Sequence, residues 1–356
     1  MALGMLIWDK NTSASLAGTE ITQAFFGKLF GDVVTRERQF LRPVASEHLQ
    51  LTWKAGAYVA LEIDGKRILF GCDSDTTYTV TDLLDTGVQL GAGKDYYVYL
   101  CYELTTAANK GYAPVLKVSL NSTYPSGFTA DTSRKIGGFH TLCLSVGTIS
   151  GHPLSDFTTG DILPASVWDL THRPTCQPEG MVYISELDFW ADIYLQSGSG
   201  VNTKSVYNGT TTDSQSQGAH VEDLFKVGKT PLSDPEFSCA AEGSNQGTAI
   251  QGAADAVTTG GHVDSGGRRM ISNYGLEDCC GFLWQWLDEQ GPAGGSGWSS
   301  AGDGGKGYVA GNVYALLAGG NWSGSTYCGS RCRDGCNSRL GANASLGCRG
   351  RARSRV

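Results

Sequence analysis

The residues best placed to do chemistry lie near the C-terminus. Cys328, Cys332 and Cys336 stand at four-residue intervals, a spacing that invites thiolate ligation of a metal. Zinc sites add a second cysteine pair or nearby histidines, and the last histidine of this chain is His262, so zinc is not expected. Residues 302–307 have the G-x-G-x-x-G spacing of a phosphate cradle. Ser300, however, stands where a Walker loop needs its first glycine, and Gly307 where it needs a hydroxyl. The motif sits in the Gly-rich stretch 291–311, without a strand leading into a helix, so a plain loop is expected. Glu186, Asp188 and Asp192 could form a carboxylate set. Alternation along a strand puts Glu186 and Asp188 on one polar face, the ordinary surface arrangement. His48, His140, His152, His172, His220 and His262 are scattered, and neither G-x-S-x-G nor H-E-x-x-H occurs. No catalytic residue and no metal ligand emerges, and the chain is not expected to be an enzyme.

The elements that would carry these residues read as mostly β. The chain has 356 residues, enough for two or three domains. Charged residues make up 17%, with 49 glycines and many Tyr, Trp and Thr, which disfavours disorder and points to strands joined by turns. A net charge of −8 argues against nucleic acid as a partner, since phosphate neutralisation needs a basic face. The late arginines (Arg331, Arg333, Arg339, Arg349, Arg351, Arg353 and Arg355) are read as fold support, the last three as a solvated tail. The opening residues lack a basic region and a long apolar run, so neither a secretory leader nor membrane insertion is expected. Residues 1–46, with the apolar stretch 24–30, are expected as an assembly or attachment segment. Residues 47–150 carry strand-like runs at 49–53, 57–63, 66–70, 95–102 and 139–146, with Asp64-Gly65 as a hairpin turn, and fit a β-sandwich. Cys72, Cys101 and Cys143 fall in such apolar contexts and read as buried free thiols. Residues 151–175, with Pro153, Pro164 and Pro174, read as a linker, and residues 176–356 as the last domain. Within it, 276–287 is the best helical or turn-rich core segment.

Between Asn321 and Gly347 two residue populations interleave. Trp322, Cys328, Gly329, Ser330, Arg331, Arg333, Arg339, Ala342, Ala344 and Gly347 look like framework. Ser323, Gly324, Ser325, Thr326, Tyr327, Asp334, Gly335, Cys336, Asn337, Ser338, Leu340, Gly341, Asn343 and Ser345 form a scatter that follows neither a helical nor a strand period. Lys, Glu, Gln, Met and Trp are missing from the scatter. A surface of small, polar residues can be exchanged at little cost, since surface substitutions usually stay within about ±0.5 kcal/mol.

Three segments in this order carry a family resemblance: 180–195 (GMVYISELDFWADIYL), 267–286 (GRRMISNYGLEDCCGFLWQW) and 315–322 (ALLAGGNW), followed by Cys328-Gly329-Ser330-Arg331 and 346–350. The series resembles the C-terminal domain of the variable proteins of diversity-generating retroelements, phage tropism determinants among them. The resemblance covers about residues 176–356. Residues 1–175 are more loosely similar to a phage tail-fibre front end. It implies a β-rich N-terminal region followed by an α+β C-type-lectin-like domain of the formylglycine-generating-enzyme type. Trp284, Trp286, Trp322, Arg331, Arg339 and Arg349 would be scaffold, and the scatter a variable ligand-binding face. It further implies a homotrimer at the tip of a phage tail fibre, in the virion and assembled in the host cytoplasm. The partners would be a protein or glycan of the host bacterial surface, and other tail proteins through the N-terminus. No cofactor is implied, with room left for a structural calcium. Gln177-Pro178-Glu179 has the look of a sugar–calcium tripeptide but lacks its Trp-Asn-Asp partner. Two alternatives stand beside this reading. One is a cell-encoded display protein of the same family. The other is a formylglycine-generating-type oxidase, which needs a thiol where Ser323, Gly324 or Ser325 stands after the Gly319-Gly320-Asn321-Trp322 turn.

Overall fold

The computed structural model describes residues 4–8, 14–16, 19–21, 33–35, 38–63, 66–104, 112–255, 257–292, 299–300, 306–307 and 313–355. The apolar stretch 24–30, the Asp64-Gly65 turn and most of the Gly-rich loop 291–311 lie outside them.

Among the described residues the first half holds three sheets of three or four strands, beside the two-stranded pair Ala14–Leu16 and Thr19–Ile21. Gly4–Trp8, Lys66–Gly71, Tyr58–Ile63 and Val33–Val34 are neighbours in one. Ile63 pairs with Lys66 and Leu61 with Ile68, the register a two-residue connection imposes. Leu41–Val44, Glu47–Trp53 and Thr76–Thr79 form the second sheet. Tyr112–Ser119, Asp95–Leu104, Ser133–His140 and Trp168–Asp169 form the third. Alternation sends Tyr96, Val98 and Leu100 into a core shared with Phe40, Trp53, Phe70 and Phe139, while Tyr97, Tyr99 and Cys101 face the other side. Cys72, Cys101 and Cys143 are buried free thiols, in line with the sequence.

Residues 151–175 are not an open linker. Leu154, Phe157 and Leu163 are buried with Val182, Ile193 and Phe237 of the second half, and Trp168–Asp169 adds a strand to the third sheet. The prolines break helices without freeing the chain, because the apolar residues between them have a core to enter. Trp168 also packs with Tyr99, Met181 and Trp190, joining the two halves.

Among the described residues the second half holds two four-stranded sheets, with two short two-stranded pairs beside them. Met181–Ile184, Phe189–Asp192, Gly350–Arg353 and Thr230–Pro231 form one; Gly329–Asp334, Val313–Gly319, Trp284–Pro292 and Leu346–Cys348 form the other. Arg351 and Arg353 thus lie in an internal strand rather than a solvated tail. Two α-helices occur among the described residues, α1 (Gln217–Lys226) and α2 (Asp234–Ala240). Residues 276–283 are turn-rich and buried, and a strand starts at Trp284, so 276–287 is no helix. Glu186 and Asp188 sit in the turn between Met181–Ile184 and Phe189–Asp192, with Asp188 at φ +53°, rather than on a strand face.

Candidate functional site

Arg349 holds the second half together. It is 1% exposed. Its guanidinium donates to the carbonyls of Asp192 (2.8 Å), Ile193 and Glu277, and to Gln285 Oε1 (3.1 Å). One planar fork therefore satisfies acceptors from three distant stretches of chain, which a lysine could not do. Beside it, Asp192 is buried, accepting from Lys229 Nζ (2.6 Å) and the Gly350 amide (3.1 Å). Arg269 and Glu277 form a second buried pair at 2.6 Å. Asp192 is thus a structural carboxylate, with its oxygens occupied.

On this framework the sheet Gly329–Asp334, Val313–Gly319, Trp284–Pro292, Leu346–Cys348 presents its edge strand Gly329–Asp334 and the two loops that flank it, 320–328 and 335–345. None of Ser323, Gly324, Ser325, Thr326, Tyr327, Asp334, Gly335, Cys336, Asn337, Ser338, Leu340, Gly341, Asn343 and Ser345 is buried. Tyr327 is 75% exposed and Leu340 48%, the two large apolar side chains of this face. The loops are held chiefly through their main chain. Amides of Ala315, Gln217, Ser214, Trp284 and Gly247 donate to the carbonyls of Asn337, Arg339, Asn343, Ser345 and Cys328, and the Trp322 amide to Phe282 (2.7–3.2 Å). The side-chain bonds of the face are local: Asp334 accepts from the Cys336 amide and from Asn337, and Asn343 from the Ser345 amide. A face tied down in this way keeps its backbone when its side chains change.

The expected scaffold residues divide. Trp286 is fully buried with Leu224, Leu317 and Cys348, and Trp284 packs partly buried against the same cluster. Trp322 packs against Leu195, Ile250, Met270, Phe282 and Leu283. Arg339 donates to Gln290 Oε1 (3.2 Å), and its amide to Val313 O (3.0 Å). Arg331 does not belong with them: it is exposed on the edge strand, while Arg333 does the anchoring there. Arg333 pairs with Asp234, donates to Ser238 Oγ (2.7 Å) and lies 5.0 Å from the Phe237 ring, clamping the edge strand onto α2. The framework-like Ala342 and Ala344 are also exposed. The supports that sequence reasoning missed are α1, α2 and Gln246, whose amide meets Ser330 Oγ at 3.1 Å. A signal for α2 was present: Ser233-Asp234-Pro235-Glu236 is a capping box with proline in the first turn, and both reciprocal bonds are made.

The chemistry available is modest. Burial pushes the Cys328 thiol up to about 11, with Cys332 adding to the effect. Burial also raises Cys332, and a hydrogen bond to Asp334 raises Cys336. All three are protonated thiols at neutral pH and therefore poor nucleophiles. Among the described residues no group of three or more His, Cys, Asp or Glu gathers to hold an ion.

Comparison with known proteins gives a consistent picture. A family model described as the Mtd second domain matches residues 43–169. A tail fiber receptor-binding protein of Bordetella phage BPP-1 is 31% identical over 303 residues, which cover 78% of this chain and 73% of that protein. Among solved structures, the Major Tropism Determinant U1 variant is similar with a TM-score of 0.75 at 26% identity, covering 96% of this chain and 90% of that one. The M1 variant gives 0.73 at 25% identity, covering 95% and 89%.

Proposed function

The chain belongs to the family of the phage tail-fibre receptor-binding proteins and major tropism determinants, and from that membership we propose how it engages a host. It is a receptor-binding tail-fibre protein and a component of a virion. Its binding surface is the face formed by residues 323–327, 334–338, 340, 341, 343 and 345, which meets a protein or glycan of the host bacterial surface. The observation that carries this is the separation of display from support: none of these positions is buried, and their loops hang on main-chain hydrogen bonds. Tyr327 and Leu340 are the anchors of this particular version, as rigid or apolar side chains are in antibody paratopes.

The finer architecture in this reading is a β-sandwich in the first half, followed by a C-type-lectin-like domain from about residue 176. The chain assembles as a homotrimer, and its N-terminal segment contacts other tail proteins. The face is the diversified product of a retroelement. It carries no catalytic chemistry and no cofactor. The protonated thiols and the lack of a cysteine at 323–325, where Ser323, Gly324 or Ser325 stands at the oxidase's first thiol position, support this.

The test is adsorption of the purified protein to a panel of bacterial strains. Tyr327→Ala with Leu340→Ser should abolish adsorption to the recognised strain, while the melting temperature stays within about 2 °C, as for surface changes of about 0.5 kcal/mol. Undiminished adsorption by the folded double variant would overturn the assignment of the face.

A further inference from the structure

A cleft of about 240 Å³ opens on the flank of the displayed face, with Glu289, Gln290, Tyr314, Leu316 and Gly335 around it. Its origin is an irregularity in the sheet. Trp286 pairs with Leu317 and Gln290 with Ala315, so residues 287–289 stand opposite Leu316 alone. Surplus residues in one strand of a pair interrupt the ladder and bend that strand, and the cleft lies at this break. Tyr314 and Leu316 are left half-buried there. The displayed loop bounds the other side: the Ala315 amide donates to Asn337 O at 3.2 Å, and Tyr314 is bridged to Ser338. Gly335 stands exposed at the rim. A Cβ at that position would meet Leu316 Cδ1 at 3.9 Å, so a side chain at 335 starts out against the floor of the cleft.

The polar side chains around the cleft are already engaged. Gln290 accepts from Arg339 at 3.2 Å and donates to Gln217 Oε1 at 3.0 Å. Glu289 accepts from the Asp234 amide at 2.7 Å through one oxygen, and its other oxygen is covered from solvent. What remains on offer is largely the apolar surface of Tyr314 and Leu316. A sugar needs donors and acceptors to offset its own desolvation, whereas an apolar side chain needs none. The size suits a single side chain. An apolar cavity of about 150 Å³ takes a benzene-sized group, and sites for drug-sized ligands run from about 300 Å³ upward. The cleft is continuous with the receptor face through Gly335. Building on the assignment of that face, we infer that the receptor is a protein and that one of its apolar side chains, aromatic or branched, enters this cleft. Residue 335 then sets specificity: glycine leaves the cleft open, and a bulky residue closes it. One substitution thus switches the face between partners that carry an apolar anchor and partners that lack one.

Saturation-transfer NMR of the full chain with the side-chain analogues p-cresol and 3-methylbutan-1-ol tests the cleft directly. At least one should bind with a dissociation constant of about 1–10 mM. Gly335→Leu should weaken that binding roughly tenfold, with a melting temperature within about 3 °C of the unaltered protein. Val201→Ser, at an exposed apolar residue outside the face, should leave binding as it was. On cells of the recognised strain Gly335→Leu should lower adsorption by roughly tenfold or more. Pronase treatment of the cells should abolish adsorption of the unaltered protein, and periodate treatment should spare it. The inference is overturned if neither compound binds, if Gly335→Leu binds and adsorbs as well as the unaltered protein, or if periodate rather than pronase removes adsorption, which makes the partner a glycan. Adsorption lost in Tyr327→Ala with Leu340→Ser but kept in Gly335→Leu removes the cleft and leaves the face; adsorption kept in both removes the face as well.

Discussion

Arg349 and Tyr327 are opposite kinds of residue in this chain. Arg349 is sealed in, its guanidinium shared among the Asp192, Ile193 and Glu277 carbonyls and Gln285. Truncation leaves those acceptors buried and unpaired, so Arg349→Ala should cost about 3–5 kcal/mol in denaturant unfolding, with Arg349→Lys recovering little of it. Tyr327 projects into solvent, and its removal should be silent in the same assay. Two histidines set a pH dependence. Burial holds His220 at about 4, against the pull of Asp223, and burial holds His172 at about 4, with Arg38 adding to it. In the unfolded chain both titrate near ~6.5. Between those values the unfolded chain binds more protons, so stability is complete above about 6.5 and lost as pH falls toward 4. For His220 alone the loss is on the order of 3 kcal/mol. His262 has the opposite sign: burial lowers its pKa, but Asp278 outweighs that and the net shift is upward. Its contribution is present at low pH and fades as pH rises, offsetting part of the effect. Melting temperatures from pH 7 to 4 should therefore fall less steeply in His172→Gln/His220→Gln; an unchanged slope would exclude these two groups as the cause.

At the scale of elements, stability and display divide along the chain. Gly319 ends the strand Val313–Gly319 at φ +93°, and a Cβ there would stand 2.3 Å from Cys279 O. Gly319→Ala combines backbone strain with a clash against main chain and should destabilise by several kcal/mol. Replacing residues 335–338 with other small polar residues should shift the melting temperature by no more than a few degrees, because the ties there are made by main-chain atoms. Calorimetry of the two variants side by side checks both. The same division explains what could be read in advance. Strands with clear alternation, such as Asp95–Leu104, were legible because their period is intrinsic to the backbone. The scatter at 323–345 was legible because it lacks any period. Helix α1 was not: Gln217–Lys226 follows a Ser/Thr/Gly-rich run, and it is fixed by contacts that sequence does not display, such as Gln217 Nε2 to Leu287 O at 2.6 Å. Arg331 and Arg333 are two residues apart on one strand, and only the position of α2 decides which becomes an anchor.

At the scale of the molecule, the first and second halves are joined by shared burial, with Tyr99 and Trp168 packed against Met181 and Trp190. A receptor face mounted on such a joined body can be presented in several copies at fixed spacing. Sedimentation of the purified protein should give three chains, and a chain made monomeric should adsorb to cells far more weakly, without change in its single-site affinity. A monomer with full adsorption would remove avidity from the account. The strand Gly350–Arg353 lies between Phe189–Asp192 and Thr230–Pro231, and it follows the displayed loops in the chain. Any shift of reading frame or premature stop arising within 323–345 therefore deletes Arg349 and an interior strand together. A gene copy damaged in that way gives a protein that does not fold, instead of one that folds with a defective face. If the face is diversified as proposed, folding itself screens each new version of the surface before it can be mounted on a particle.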